Sequence, residues 1–486
     1  MITGMLEDNF ILAADSYKVG HIQHLPPGTR KTHTSMVPRK PFKDEEHGVF
    51  IDEIVVLGPQ VVAAILQSVK ITDEMIDEAE IEITEQGYDF PRAEWEYLRD
   101  LGYLPLDVRA LPEGTVVQPG IPIMTIENTD DRSAWLPAYV ETWTQDIVWT
   151  MSTIASKVRW LRKQVDTFNE NTGCDYETGE FQVHNFGDRG AGGRDRAIMA
   201  GIAHAVFFSG SDCLGANRYI KRIYNMEGPV LSSVDANEHS TVCANSDCEA
   251  KDDSAAFEMT LDNLEKVVER TNRGVGVPVQ SCLIDTFDDE RYIKDFVLPN
   301  VKRIAESGGK YVCRPDSGNA ITKPVEVCEW LLEGLYPTWK KVLPNVNSTN
   351  FKILPTYLGV IQGDGLKLWD FAKIFRLAES KRLAASNFVF GFGGGMTNGS
   401  GRDDFSFSMK ATARQNAGGF WEAMQKQPKT DPGKNSLRGR VGVISRCGEF
   451  VVSDYDEYHQ EMLSIYFDGG LLFTRNFDEV REAARK

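Results

Sequence analysis

The chain has 486 residues, 42% of them hydrophobic and 26% charged, and a formal net charge of −18. That is ordinary globular composition at roughly three domain lengths, ample for a large core. No apolar run approaches the ~18 residues of a membrane span, and a field of this sign repels nucleic-acid backbones and anionic membrane surfaces, so neither is an expected partner.

The first residues, "MITGMLEDNFILAADSYK", have no basic stretch leading into an apolar one, so no secretory signal is expected. Eight scattered cysteines without CxxC pairs fit a reducing, cytoplasmic location and disfavour zinc. Residues 14–29, "ADSYKVGHIQHLPPGT", concentrate Asp15, Tyr17 and Lys18. A helix-capping aspartate is the plain alternative to a functional one there. Short strands and turns follow, then helical patterns at about 51–69 and 73–101, and paired strands within 111–128. A long helix is expected from Leu136 to Val165, with Ser133 as N-cap and Pro137 in its first turn.

From about 180 the pattern becomes strand, turn, helix, repeated. The strand-like runs are "EFQVHNFGDRG", "GPVLSSVDANEHST", "VPVQSCLIDTFDD", "GKYVCRPDSGN", "LGVIQGDG" and "NFVFGFGGG", with helices such as 191–208 and 253–272 between most of them. Short apolar runs of this kind suit strands buried on both faces of a parallel sheet. Each ends in Asp, Arg, His or Gly, and polar residues collecting at strand C-termini are where a βα barrel builds its site. An open doubly wound sheet is the alternative. After 400, "TDPGKNSLRGRVGVISRCGEFVVSDYDEY" reads as strands and hairpins. The expected organisation is an α/β barrel domain over 151–399, and a mixed α/β domain with β-rich segments built from 1–150 plus 400–486.

Five motifs in the barrel region bear on chemistry. Consecutive glycines in "GFGGGMTNGSGR" let backbone N–H groups approach a phosphate, with Arg402 and Lys410 following; a flexible turn is the alternative. Arg314 and Asp316 in "RPDSGN" and Asp364 in "QGDG" suit a phosphorylated sugar with Mg²⁺, against salt-bridged or plain turns. Phe186 lies in a polar strand-end segment with Arg189, where a ring could stack on a flat heterocycle. His239 stands in "VDANEHST", a surface histidine by default.

Together "DSYKVGHIQHLPPGT", "HNFGDRG", "EHST", "RPDSGN", "VIQGDG", "FGFGGG" and "GRDDFSFSMK" resemble the nicotinamide phosphoribosyltransferase family in order and spacing over most of the chain. The resemblance implies an irregular α/β barrel of the type II phosphoribosyltransferase fold, with a second mixed α/β domain from both termini. It implies a homodimer with active sites at the subunit interface, acting on nicotinamide and phosphoribosyl pyrophosphate with Mg²⁺ and with ATP as coupling substrate. By position, Phe186 and Arg314 would sandwich the pyridine ring, Asp212 accept from its carboxamide and Ser281 bond the amide oxygen. Asp15 and Tyr17 would come from the neighbouring subunit. Arg39, Lys410 and Lys426 would meet pyrophosphate or ATP phosphates, and Gly393, Gly394 and Arg402 the 5′-phosphate. Arg189, Asp316, Gly363 and Asp364 would lie at sugar-phosphate and metal-proximal positions; which residues ligate the metal is not implied. Asp285 would orient His239, which would be transiently phosphorylated. The departures are Asp188, the "AGG" after "GDRG", Phe392, Asp235 and Asn237, and they bear on how ATP or the sugar phosphate is held.

Overall fold

The computed structural model describes residues 9–338, 346–363, 365–456 and 458–486. The chain divides into two compact units. The first comprises Met1–Arg159, Arg218–Gly228 and Ser400–Lys486; the second comprises Trp160–Asn217 and Pro229–Gly399.

The first unit is built on a seven-stranded antiparallel sheet drawn from both ends of the chain. Its order is Trp421–Ala423, Ser408–Gln415, Lys31–Val37, Met124–Asn128, Leu106–Ala110, Leu463–Phe467, Gly470–Leu471. The hairpin Val441–Arg446/Glu449–Asp454 turns at Cys447 and Gly448, both with positive φ, as a two-residue hairpin turn requires. Four expectations for this region need correction. The stretch 51–69 is not one helix: short strands end at Ile51 and Val55, and the helix Pro59–Ser68 starts only after Gly58, whose φ is +109°. The 73–101 pattern is two helices, Asp73–Glu85 and Arg92–Leu101, split where Gly87 takes φ +90° and Pro91 precedes the second. Strands Val116–Val117 and Met124–Asn128 do not pair with each other but with Ile54–Val55 and with Lys31–Val37 and Leu106–Ala110. Nor is Ser133 the N-cap of the long helix. It ends a 3₁₀ turn capped by Asp130, and the helix proper is Glu141–Thr172 after a short one, Leu136–Tyr139.

A buried charge cluster ties the C-terminal hairpin to this sheet. Glu127 accepts from Arg440 Nε at 2.6 Å and Nη2 at 2.9 Å, and lies 2.6 Å from His33 Nδ1. Val441 N donates to His33 Nε2, which assigns the ring proton to Nδ1. Burial alone would raise the Glu127 pKa, but the hydrogen bonds from His33 and Arg440 bring it down to about 2. A folded value below the unfolded one gives stability that is present above pH ~4.5 and is lost as pH falls toward 2. Glu127→Gln is therefore expected to lose roughly 2–3 kcal/mol at pH 7 and to show a shallower fall in Tm between pH 4.5 and 2 than the parent. Parallel Tm–pH curves for the two proteins would contradict this.

The second unit carries the parallel sheet. Its order is Asp235–Ala236, Val279–Leu283, Lys310–Arg314, Leu358–Gln362, Phe388–Phe392, Val183–Asn185, Gly210–Ser211, with every pairing parallel. A parallel bridge from Gly210 to Ser232, three residues before Asp235, joins the two ends into an irregular barrel. The two-residue strand Gly210–Ser211 is too short to show in the sequence pattern. Helices Arg194–Ala205, Ser254–Asn272 and Asp370–Ser380 cover the outside.

Register decides which side chains face inward. Parallel partners share a face, so Ser281, Val312 and Gly359 lie together, as do Cys282, Cys313 and Val360. Carried round the sheet, one set is Gln280, Cys282, Tyr311, Cys313, Val360, Phe388, Phe390 and Phe392. This set faces the helices: Phe390 and Phe392 lie 5.6 and 5.2 Å from Phe371, and Tyr311 lies 6.0 Å from Phe257. The other set, Ser281, Arg314, Gly359, Ile361, Gly391, His184 and Gly210, therefore faces the lumen, and its polarity continues past the strand ends to Phe186, Asp212, Asp316 and Gly363. Phe392, a departure from the family pattern, is thus a core residue against the helix layer, directed away from the site.

Candidate active site

Three glycines on the lumen face make room for functional side chains. A Cβ on Gly391 would stand 2.2 Å from Cδ2 of Phe186. One on Gly363 would meet Asp316 Oδ1 at 2.4 Å and Arg314 Cδ at 3.1 Å, and one on Gly210 would meet the His184 ring at 2.5 Å. The direction of a Cβ on Gly391 also brings it within 3.0 Å of the Gly363 carbonyl. Phe186 and Arg314 are therefore separated by little more than two side-chain-free residues, Gly391 and Gly363. His184, 6.2 Å from Phe186, lies behind it; burial lowers its pKa, against an opposing pull from Asp212, and favours the neutral ring.

Arg314 is held from the neighbouring loop. Its Nη2 donates to the Asn237 carbonyl at 2.5 Å, while its Nε is buried and has no hydrogen-bond partner among the described residues. Asn237 is itself pinned: its Oδ1 accepts from Leu283 N at 2.8 Å, and its Nδ2 donates to Thr260 Oγ1 at 3.2 Å. The departures at Asn237 and Asp235 are thus structural, Asp235 pairing with Arg270 at 2.6 Å. Asp188, another departure, pairs with Arg194 at 3.0 Å. Ser281 Oγ is buried on the lumen face without a partner among the described residues, a donor in want of an acceptor. Asp212 N donates to the Asn185 carbonyl at 3.1 Å, and Ser233 Oγ donates to Asp212 Oδ1 at 2.5 Å.

The "EHST" motif resolves into a helix start and one free functional group. Glu238 and Thr241 form a capping box on the short helix His239–Cys243, so glutamate and threonine serve the backbone. His239, with its side chain about half exposed, stands between two carboxylates. Its Nε2 is 3.6 Å from Asp285 Oδ1 and its Nδ1 is 3.8 Å from Asp316 Oδ2. Neither is a hydrogen bond at that length, though shifts of under 1 Å would make both. Asp285 is nearly buried, and its other oxygen accepts from Asp316 N at 3.0 Å, which locks the two acidic loops together.

At the glycine-rich loop Phe186 N donates to the Phe392 carbonyl, and Gly393 starts the turn Gly394–Thr397. Nothing lies within 4 Å of a Cβ on Gly394, and a Cβ on Gly190 would stand 3.3 Å from the Gly394 Cα. The "GDRG" and "GFGGG" loops therefore abut, with Gly394 backbone open. Arg189 is exposed and without a partner among the described residues. Asp364 lies outside the described residues.

Among the described residues no three His, Cys, Asp or Glu side chains gather as a metal cluster. Asp316, partly exposed on the lumen face, fits a Mg²⁺ that takes most of its ligands from phosphates and water rather than from a resident protein cage.

In the first unit, Asp15, Tyr17, Arg39, Arg402, Lys410 and Lys426 share one cleft of about 530 Å³, also lined by Lys434, Glu141, Asp146 and Trp149. Five cations and three carboxylates line it, a local positive excess in a chain of charge −18. Glu141 restrains part of it, pairing with Lys18 at 2.7 Å and Lys410 at 3.6 Å. Asp15 accepts from Thr142 Oγ1 at 2.7 Å and caps no helix through its side chain. Arg402 pairs with Asp403 at 3.1 Å. Sequence reading missed Lys434, Ser233, the place of His184 within "HNFGDRG" and the clamp role of Asn237 within "VDANEHST".

Comparison with known proteins accords with this geometry. Residues 181–464 match the model of the nicotinate phosphoribosyltransferase (NAPRTase) family, and residues 9–108 match the nicotinamide phosphoribosyltransferase N-terminal domain. Nicotinamide phosphoribosyltransferase of Xanthomonas campestris pv. campestris is 33% identical over 98% of both chains. That of Acinetobacter baylyi is 28% identical over 98% of this chain and 96% of its own. Human nicotinic acid phosphoribosyltransferase superposes with a TM-score of 0.58 at 14% identity, covering 98% of this chain and 93% of its own, a likeness of fold. The nicotinate-nucleotide pyrophosphorylase of Pyrococcus furiosus gives the same score at 15% identity, covering 98% and 95%. No helix among the described residues is long and apolar enough to cross a membrane. With its lumen-facing site, a matching model over more than half its length and a relative matched end to end, the chain belongs to the nicotinate phosphoribosyltransferase family of enzymes.

Proposed function

We propose that the protein transfers the phosphoribosyl group of phosphoribosyl pyrophosphate to nicotinamide, giving nicotinamide mononucleotide and pyrophosphate, as a step of NAD salvage. The observation that carries this reading is the common lumen face of Phe186, Arg314 and Asp212. A flat ring set between an aromatic and a guanidinium would present its substituent to a carboxylate. An amide N–H₂ gains a charge-assisted hydrogen bond there, whereas the carboxylate of nicotinate meets like charge. Ser281, a buried hydroxyl with no partner among the described residues, would supply the donor for the amide oxygen.

The pyridine nitrogen attacks ribose C1 with its lone pair, and the bond from C1 to the pyrophosphate oxygen breaks with its electrons on pyrophosphate. No proton is lost from the nucleophile, so no general base is required. The protein's part is to orient the two reactants and to meet negative charge. Gly393, Gly394 and Arg189 would hold sugar and 5′-phosphate, with Arg402, and Arg39, Lys410 and Lys426 the pyrophosphate or ATP phosphates. Asp316 would hold Mg²⁺, which supplies neutralising charge when bound. Asp15 and Tyr17 share a cleft with those cations. If both come from the neighbour in a homodimer, the cations come with them.

His239 has no acid–base work in this chemistry. Its ring would take the γ-phosphoryl group of ATP: the nitrogen lone pair attacks phosphorus, the bond to the bridging oxygen breaks, and ADP leaves with that pair. Asp285 on the opposite nitrogen would orient the ring and stabilise its charge.

The deciding assay incubates the purified protein with phosphoribosyl pyrophosphate and either nicotinamide or nicotinic acid, and separates the mononucleotides. The reading requires a strong preference for nicotinamide. Comparable turnover of nicotinic acid favours a nicotinate phosphoribosyltransferase instead, and no product with either contradicts the proposal.

A further inference from the structure

One polar contact at the barrel seam has no part in the reaction as described. The bridge between Gly210 and Ser232 is reinforced by Ser211 N donating to the Ser232 carbonyl and Ser232 N to the Ser209 carbonyl, both at 2.9 Å. The seam thereby runs residues 232–233 alongside 209–212. Ser233 Oγ arrives 2.5 Å from Asp212 Oδ1; the other acceptor it reaches, the Val234 carbonyl, is at 3.4 Å. The Asp212 backbone is fixed independently, through its N–H to the Asn185 carbonyl.

We propose that Ser233 is a positioning residue for substrate choice, holding the Asp212 carboxylate in the one orientation that reads an amide. The inference rests on the assignment of Asp212 given above. A hydroxyl has a single proton to donate. Directed at Oδ1, it occupies that oxygen and leaves Oδ2 as the acceptor for a ligand N–H. The terminal torsion of an aspartate is otherwise broad, so an untethered carboxylate spreads over orientations that do not all meet the amide. The tether concerns the amide alone: a carboxylate ligand gains nothing from it. Loss of the tether should therefore weaken nicotinamide selectively and leave the low activity with nicotinic acid in place.

The test is steady-state kinetics of wild type, Ser233→Ala and Ser233→Thr with each of the two pyridine substrates at saturating phosphoribosyl pyrophosphate. Ser233→Ala is expected to raise KM for nicotinamide roughly tenfold with little change in kcat, lowering the nicotinamide-to-nicotinate ratio of kcat/KM by a similar factor. Ser233→Thr, which keeps the hydroxyl, is expected to restore most of the ratio. An unchanged ratio in Ser233→Ala overturns the inference, as does an equal loss on both substrates that threonine fails to restore, because that pattern belongs to a merely structural seam. Wild type without preference for nicotinamide would remove the reading of Asp212 itself, a failure visible before any variant is made.

Discussion

Arg314→Ala is expected to lower kcat/KM for nicotinamide about a hundredfold or more. A desolvated guanidinium over a ring contributes about 2 kcal/mol, and loss of one wall of a two-sided grip adds misorientation of the attacking nitrogen. The position is demanding in this chain. The stem lies along Gly363, Nη2 is held by the Asn237 carbonyl at 2.5 Å, and Nε is buried without a partner among the described residues. Lysine would reach the space but not present a planar face, so Arg314→Lys should recover little. Initial rates across nicotinamide concentrations measure this directly. A variant within a factor of three of wild type would mean that the guanidinium does not face the base.

His239→Ala should behave differently. Transfer without ATP is expected to persist at a substantial fraction of the wild-type rate, because the nucleophile needs no base, while the whole ATP-dependent enhancement is lost. The half-exposed imidazole can be reached by a phosphate donor, and a carboxylate lies toward each of its nitrogens, Asp285 toward Nε2 and Asp316 toward Nδ1. Whichever nitrogen accepts the phosphoryl group, the other retains an anionic partner. Rates with and without ATP, together with capture of acid-labile label from γ-labelled ATP, give both readouts. Full ATP stimulation in the variant would refute the phosphohistidine.

Much of the barrel was legible because its strands are short apolar runs ending in polar residues, a pattern set by burial on two faces and a site at one end. The lumen face could not be read from any single strand. It follows from the register between strands, which assigns Gly391, Arg314 and Ser281 to one side and Phe392 to the other. Phe392 shows the difference: it stands inside a glycine-rich motif, yet parity sends it into the helix layer against Phe371. Ser233 and Asn237 were invisible for a related reason, since their roles depend on the Gly210–Ser232 seam and on a clamp between loops distant in sequence. In the antiparallel unit, glycines at positive φ broke patterns that hydrophobic spacing alone would have joined, as at Gly58 and Gly87.

On this reading one small ring touches Phe186, Arg314 and Asp212 together. A crystal structure with nicotinamide and a non-reactive phosphoribosyl pyrophosphate analogue tests it most directly. The ring is expected between the Phe186 face and the Arg314 guanidinium, its amide nitrogen within hydrogen-bond distance of Asp212 Oδ2, and its ring nitrogen toward C1 of the analogue. Nicotinamide bound elsewhere, or with its amide turned from Asp212, would contradict it.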